Sequence, residues 1–227
     1  MKSILMKDIS MSESEIKNIV CNTGKQLLKD GLVVRTWGNV SHRLDEDHMV
    51  ITPSGKLYKQ LEADDMVVVH LKTFEAAGTH KPSSEFKMHA GIYLNRKNIH
   101  AIIHTHQVNA SVVAACRREV PPIFDDQVQL IGPSVRVTEY ALSNTKKIVR
   151  KVVKALEGRN AALIANHGAV CIGREMEEAY SVALLLEKTC KAFVEGEFLG
   201  QVKTINKFQA WVMHNFYLSK YSKEAKK

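Results

Sequence analysis

The sequence predicts an α/β domain, and three observations predict it. Short β-branched runs bounded by turn residues alternate with stretches of helical periodicity along the whole chain. No Pro/Gly/Ser-rich linker, internal repeat or low-complexity block separates one part from another, so one domain over 1–227 is the economical arrangement. The 227 residues, 45% hydrophobic and 25% charged, suffice for one sizeable core. That composition excludes disorder as the main description. No apolar run reaches the roughly 18–20 residues that a membrane span needs.

Each element follows from local pattern. Residues 13–30 set Ile16, Ile19, Val20, Leu27 and Leu28 on one helical face, and Gly31 supplies a stop. Residues 47–53 and 65–71 are β-branched runs read as strands, with a turn at Pro53, Ser54 and Gly55. A helix starts at Ser83 and Ser84 and runs to about Asn95, with Glu85 in its first turn. Residues 100–108 read as a strand and 135–137 as another. Residues 143–157 form a strongly amphipathic helix capped by Ser143 and stopped by Gly158. A buried strand over 161–165 ends at Asn166, His167 and Gly168 and resumes over 169–172. Helices follow at 175–195 and 206–224, while 37–41 and 121–127 read as loops.

The cysteines at 21, 116, 171 and 190 form no CxxC pair and suggest no zinc finger. Cys116, Cys171 and Cys190 stand in apolar segments, so they are expected buried and reduced, as in a cytoplasmic protein. The first residues carry no apolar run before a small-residue cleavage site, which agrees with a cytoplasmic location.

Of the ten histidines, His104 and His106 are the most informative. Strand side chains alternate, so residues i and i+2 project from one face and their imidazoles lie close enough to share an ion. Two polar residues on a solvated sheet face would fit the same spacing. The flanking Ala101, Ile102 and Ile103 argue for a central strand, where buried imidazoles need partners. His167 ends a second buried strand beside Gly168. Three imidazoles with one open position are the usual catalytic arrangement for zinc.

Three loops carry small polar residues: 37–41 with Asn39, 52–55 with Ser54 and Gly55, and 81–85 with Ser83 and Ser84. Such loops offer N–H and O–H groups to an anion, and a helix N-terminus after Ser84 adds its dipole. Turns and helix caps use the same residues. Glu85 suits the first turn of a helix, and it also suits a metal ligand or a general acid–base. No GxxxxGK[ST] or GxGxxG is present, which disfavours nucleotide-phosphate chemistry of those kinds.

In order and spacing, GNVS (38–41), TPSG (52–55), PSSE (82–85), HTH (104–106) and NHG (166–168) resemble the class II aldolase/adducin-head family over about residues 14–200. That family includes fuculose-phosphate aldolases and pentulose-5-phosphate 4-epimerases. The resemblance implies a three-layer α/β/α sandwich around a mixed, largely antiparallel sheet. It also implies a homotetramer with the site at a subunit interface. It implies one divalent ion per subunit, Zn2+ with Mn2+ or Co2+ as alternatives, on His104, His106, His167 and Glu85. Asn39, Ser54, Gly55, Ser83 and Ser84 would hold a substrate phosphate.

The implied reaction is retro-aldol cleavage of a ketose 1-phosphate to dihydroxyacetone phosphate and an aldehyde. Glu85 would return a proton to the enediolate carbon. The family's aldolases carry a catalytic tyrosine where this chain has Asp125, so Asp125, or Asp126 beside it, would be the second acid–base. A further group would reach a neighbouring subunit from the tail over 206–227, where Tyr217 and Tyr221 stand. The glutamate of PSSE and Phe216 in the tail depart from the epimerase pattern, which favours aldol cleavage over epimerisation. A dehydratase, a decarboxylase and an adducin-head-like interaction domain are the remaining readings. The full ligand set speaks against the last.

The net charge of +8 raises a nucleic-acid partner as a question. Residues 146–157 carry five basic side chains against Glu157, and 220–227 carry four against Glu224, which together hold nearly all of the excess. The first segment is the solvated face of a helix and the second a tail. Aromatics are only 7% and do not interleave with the basic residues, so no nucleic-acid surface is expected.

Overall fold

The computed structural model describes residues 11–224, with side chains to Lys220. The residues read for a leader (1–10), residues 225–227 of the basic tail and the side chains of 221–224, Tyr221 among them, lie outside this range. One eight-stranded sheet organises the chain, in the order β4-β3-β2-β1-β5-β8-β7-β6. Its strands are β1 (Asn39–Arg43), β2 (His48–Ile51), β3 (Val67–His70), β4 (Ala76–Ala77), β5 (Ala101–Thr105), β6 (Arg136–Val137), β7 (Ala161–Ile164) and β8 (Gly168–Gly173). Every pairing is antiparallel except β6 with β7, so the sheet is mixed and largely antiparallel, as expected.

Alternation along the strands produces the layers. Val40, Val50, Ala101, Ile103, Leu163 and Cys171 face one side and join the buried residues of α1 (Glu13–Lys29), α3 (Val108–Ala115) and α6 (Met176–Leu199). Met49, Ile51, Ile102, Ile164, Val170 and Ile172 face the other side and pack on α2 (Phe86–Asn95) and α5 (Lys146–Ala155). The central strands β5 and β8 are covered on both faces, and every residue in them is buried. Their near-continuous apolar runs therefore read as core from sequence alone.

Several expectations are corrected. The segment 37–41, read as a loop, contains the start of β1. Its Asn39 points to Glu85 and its Ser41 to buried His89 and Tyr93, so the usual apolar alternation is missing. The strand expected over 100–108 ends at Thr105, and Val108 opens α3. Residues 125–130 form a short helix, α4 (Asp125–Leu130), in place of a loop. The cap of α5 is Thr145, whose Oγ1 accepts from Ile148 N at 3.3 Å, and not Ser143. The two-residue strand β4 was not anticipated. All four cysteines are free, but Cys116 is exposed at the end of α3, where a buried thiol was expected.

The final helix, α7 (Lys207–Glu224), packs on α4 through buried Ala210 and His214, the latter bonded through Nδ1 to Gln129 O at 2.9 Å. Lys146, Lys147, Arg150 and Lys154 are exposed on α5, opposite buried Ile148 and Val152, so this charge is a solvated face. Among the described residues, no helix is long and apolar enough to cross a membrane.

Candidate metal centre and anion pocket

Two strand ends and one helix start bring four candidate ligands together. Asn39 on β1 lies opposite His104 on β5, so both side chains leave the same face of the sheet. His106 lies two residues beyond His104 and turns back to it, Nε2 to Nε2 at 2.9 Å. His167 comes from the β7–β8 turn, where Asn166 adopts φ 56° and reverses the chain. Gly168 is required here: a Cβ would sit 2.3 Å from Thr105 O and 2.9 Å from His106 Cδ2. Glu85 occupies the N-cap position of α2, one residue earlier in the helix than expected, with Ser83 and Ser84 in the turn before it.

The resulting geometry is tight. Glu85 Oε2 lies 3.0 Å from His104 Nε2, and Oε1 lies 3.3 Å from His167 Nε2. Asn39 Nδ2 donates to Glu85 Oε2 at 3.0 Å. The four ligand atoms all fall within 4.8 Å of one another, a spacing that a single ion can bridge.

Donor chemistry fits a divalent cation. His104 Nδ1 donates to Ala169 O at 2.7 Å, which directs the lone pair of Nε2 into the cluster. His167 Nδ1 similarly meets Ser143 Oγ at 3.3 Å. Imidazole lone pairs and a carboxylate crowded at these distances repel one another unless a proton or a cation lies between them.

The electrostatics agree. Burial would raise the Glu85 carboxyl, but the charge of His104 and its hydrogen bond, with His167 and Asn39, hold it well below the usual carboxylate range. Burial would lower His104, yet Glu85 raises it above the ordinary histidine value. Burial, reinforced by the charges of His104 and His167, pushes His106 down to about 4, and burial and His104 lower His167. His106 and His167 are therefore biased towards the neutral, ligating form, while His104 is the imidazole biased towards holding a competing proton. Its raised value sets the sign of the pH dependence: metal affinity should rise as pH passes above the ordinary histidine range, with a proton released from His104. Chelator competition at pH 6 and pH 8 checks this, and equal affinity at both would contradict it.

A cavity of about 250 Å³ opens over the cluster, lined by Thr36, Trp37, Asn39, Ser54, Gly55, Ser83, Ser84, Glu85, His106, Ser143, Asn144 and His167. The structure thus brings together every residue expected for the phosphate with Glu85 and two of the histidines. The third, His104, lies beneath the cavity with no exposed surface. Ser54 N donates to Lys81 O at 2.9 Å and Ser83 N to Thr52 O at 3.0 Å, so these two serines can offer an anion only their hydroxyls. None of the lining residues is Lys or Arg.

Asp125 is not brought to this cavity within one chain; it is exposed at the start of α4. Asp126 pairs with Lys188 at 2.6 Å. With Tyr217, Asp126 lines a larger cavity of about 630 Å³ between α4, α6 and α7, which contains none of the four ligands. Thr36, Ser143 and Asn144 were missed as pocket residues. Ser143 was read as a helix cap, and only the folded chain sets it beside His167.

A divalent-metal enzyme on a three-layer sandwich is the class that this fold and cluster define. The chain belongs to the Class II Aldolase and Adducin N-terminal domain family, whose model matches residues 18–194. It is 31% identical over 183 residues to a 5-deoxy-D-ribulose 1-phosphate aldolase of Bacillus thuringiensis serovar kurstaki, covering 80% of this chain and 85% of that one. It is 28% identical over 188 residues to the L-fuculose phosphate aldolase of Escherichia coli K12, covering 81% and 85%. A solved L-fuculose 1-phosphate aldolase superposes with a TM-score of 0.86 at 31% identity over 92% of this chain and 99% of that one. These relatives set the chain with the metal-dependent aldolases of the family.

Proposed function

We propose that this protein cleaves a ketose 1-phosphate to dihydroxyacetone phosphate and an aldehyde, using one divalent ion per subunit. One observation carries the reading: Glu85 faces three imidazoles at the end of a cavity whose other wall is hydroxyls and amides. Three imidazole nitrogens and one carboxylate oxygen suit Zn2+, with Mn2+ or Co2+ as alternatives. When bound, the ion supplies Lewis acidity to the oxygens of the substrate ketone.

The chain's own residues do the rest. Ser54, Ser83 and Ser84 hydroxyls, with the Asn39 and Gly55 region, hold the phosphate and fix the breaking carbon–carbon bond over the cluster. Glu85, once substrate displaces it from the cluster, takes up a proton on Oε1 or Oε2 and delivers it to the carbon that becomes the dihydroxyacetone phosphate hydroxymethyl group. Asn39 steers that carboxylate through its 3.0 Å hydrogen bond.

Glu85 is the one carboxylate lining the cavity among the described residues, and the departing aldehyde requires a second acid–base. We assign it to Asp125 of a neighbouring copy, with the tail tyrosine Tyr217 as a further contributor, in a homotetramer. Exposed Phe208, Trp211 and Phe216 along α7 support such an assembly. Free, mostly buried cysteines support a reducing, cytoplasmic setting. A 5-deoxypentulose or fuculose-type 1-phosphate matches the substrates in the relatives' names.

Metal-loaded protein incubated with five- and six-carbon ketose 1-phosphates should release dihydroxyacetone phosphate. Release from none of them would overturn the assignment. Ser84→Ala should raise KM about tenfold with kcat little changed, as expected for a lost ground-state contact. An unchanged KM would mean that the substrate is not held there by a phosphate.

A further inference from the structure

The two serine-bearing loops of the cavity come from separate parts of the chain, yet they are built as one unit. On the cavity side, Pro53 and Pro82 form an antiparallel bridge, flanked by the Ser54–Lys81 and Ser83–Thr52 backbone bonds. Behind them lies Asp65, outside the cavity lining and only 7% exposed. Its carboxylate accepts from Lys56 Nζ at 2.5 Å, from His80 Nε2 at 3.0 Å and from Glu62 N at 2.6 Å. Lys56 directly follows Gly55 in the first loop, and His80 stands three residues before Ser83 in the second.

We propose that Asp65 is a positioning residue for substrate phosphate: it ties the Lys56 and His80 ends of the two loops together, and so sets the spacing of Ser54, Gly55, Ser83 and Ser84. The inference rests on the reading that this cavity takes a phosphate. A buried carboxylate left without partners is costly, so it draws one side-chain hydrogen-bond partner from each loop, Lys56 from the first and His80 from the second. The same pairing holds Lys56 behind the cavity, where its ammonium does not contact the anion. Burial works against ionisation of Asp65, but the Lys56 hydrogen bond, with Glu62 N–H and His80, keeps the carboxyl below its usual range, so the tie is charged at neutral pH.

Calorimetric titration with inorganic phosphate, steady-state kinetics and elemental analysis of the metal-loaded protein test this. In Asp65→Asn, phosphate affinity should fall and KM for the ketose 1-phosphate should rise about tenfold, while kcat and metal content stay near the parent's. Lys56→Gln should weaken phosphate in the same direction and add nothing on top of Asp65→Asn, because both remove one tie. Lys56→Arg, which keeps the charge pair, should retain the parent's affinity. If Asp65→Asn does not fold, His80→Ala, which frees the second loop from the same carboxylate and lies outside the cavity lining, takes its place and should weaken phosphate as Lys56→Gln does. Unchanged or tighter phosphate binding in both Asp65→Asn and Lys56→Gln overturns the inference. Weaker binding in Lys56→Gln alone also overturns it, since Lys56 would then touch the anion itself. A parent protein that binds no phosphate overturns the phosphate reading and this inference together, whereas a parent that binds it as Asp65→Asn does overturns this inference only.

Discussion

His104→Ala is expected to abolish metal retention and to lower turnover by about a thousandfold or more, the scale of several kcal/mol of lost electrophilic stabilisation. His104 is the hub of the cluster. It lies 3.0 Å from Glu85, 2.9 Å from His106 and, through Nδ1, 2.7 Å from Ala169 O. Its burial means that no water-exposed neighbour can replace it. The loss should exceed that from Ser143→Ala, which removes only the hydroxyl near His167 Nδ1. Elemental analysis after dialysis reads the metal directly, and circular dichroism separates ligand loss from unfolding. Full metal retention in a folded His104→Ala protein would sink the ligand assignment.

Glu85→Gln should reduce kcat by roughly a hundred- to ten-thousandfold, the range for loss of a positioned acid–base. The substitution keeps the size of the side chain and an oxygen for Asn39 Nδ2 to donate to, but it removes the charge and the movable proton. Ser54, Ser83 and Ser84 are untouched, so inorganic phosphate should bind as it does to the parent. The three imidazoles remain as metal ligands, so metal affinity should weaken without disappearing. A Glu85→Gln protein with parental kcat would remove Glu85 from the proton-transfer role. One with parental kcat and weaker phosphate binding would make it a binding residue instead. The two variants therefore separate holding the ion from moving the proton.

The sandwich and the metal set were both legible before folding, for different reasons. Central strands buried on both faces announce themselves as apolar runs, as residues 101–103, 161–165 and 169–172 do. The i, i+2 spacing of His104 and His106 and the glycine after His167 are local features that survive in a linear reading. The elements that escaped were those whose pattern is set by function or by neighbours. In β1, Asn39 and Ser41 hold the apolar alternation off, because on that face they meet polar groups of the α2 region, Glu85 for Asn39 and buried His89 and Tyr93 for Ser41. The short helices α3 and α4 lack strong periodicity, and packing on α6 and α7 decides them.

By itself, the sequence determined the α/β class, the helix and strand content of the core, the location of the excess charge and, through the family resemblance, which residues are candidate ligands. These depend on periodicity, residue chemistry and short spacing, which are properties of neighbours along the chain. Only the tertiary structure decided which loops meet, that Ser143 stands beside His167, that Asp65 ties Lys56 to His80, and that Asp125 lies away from the ligands of its own chain. Each of those facts joins residues 9 to 31 positions apart or relates separate faces of the molecule. Burial, chain reversal and the need of a buried charge for a partner bring such residues together, and no local pattern encodes them.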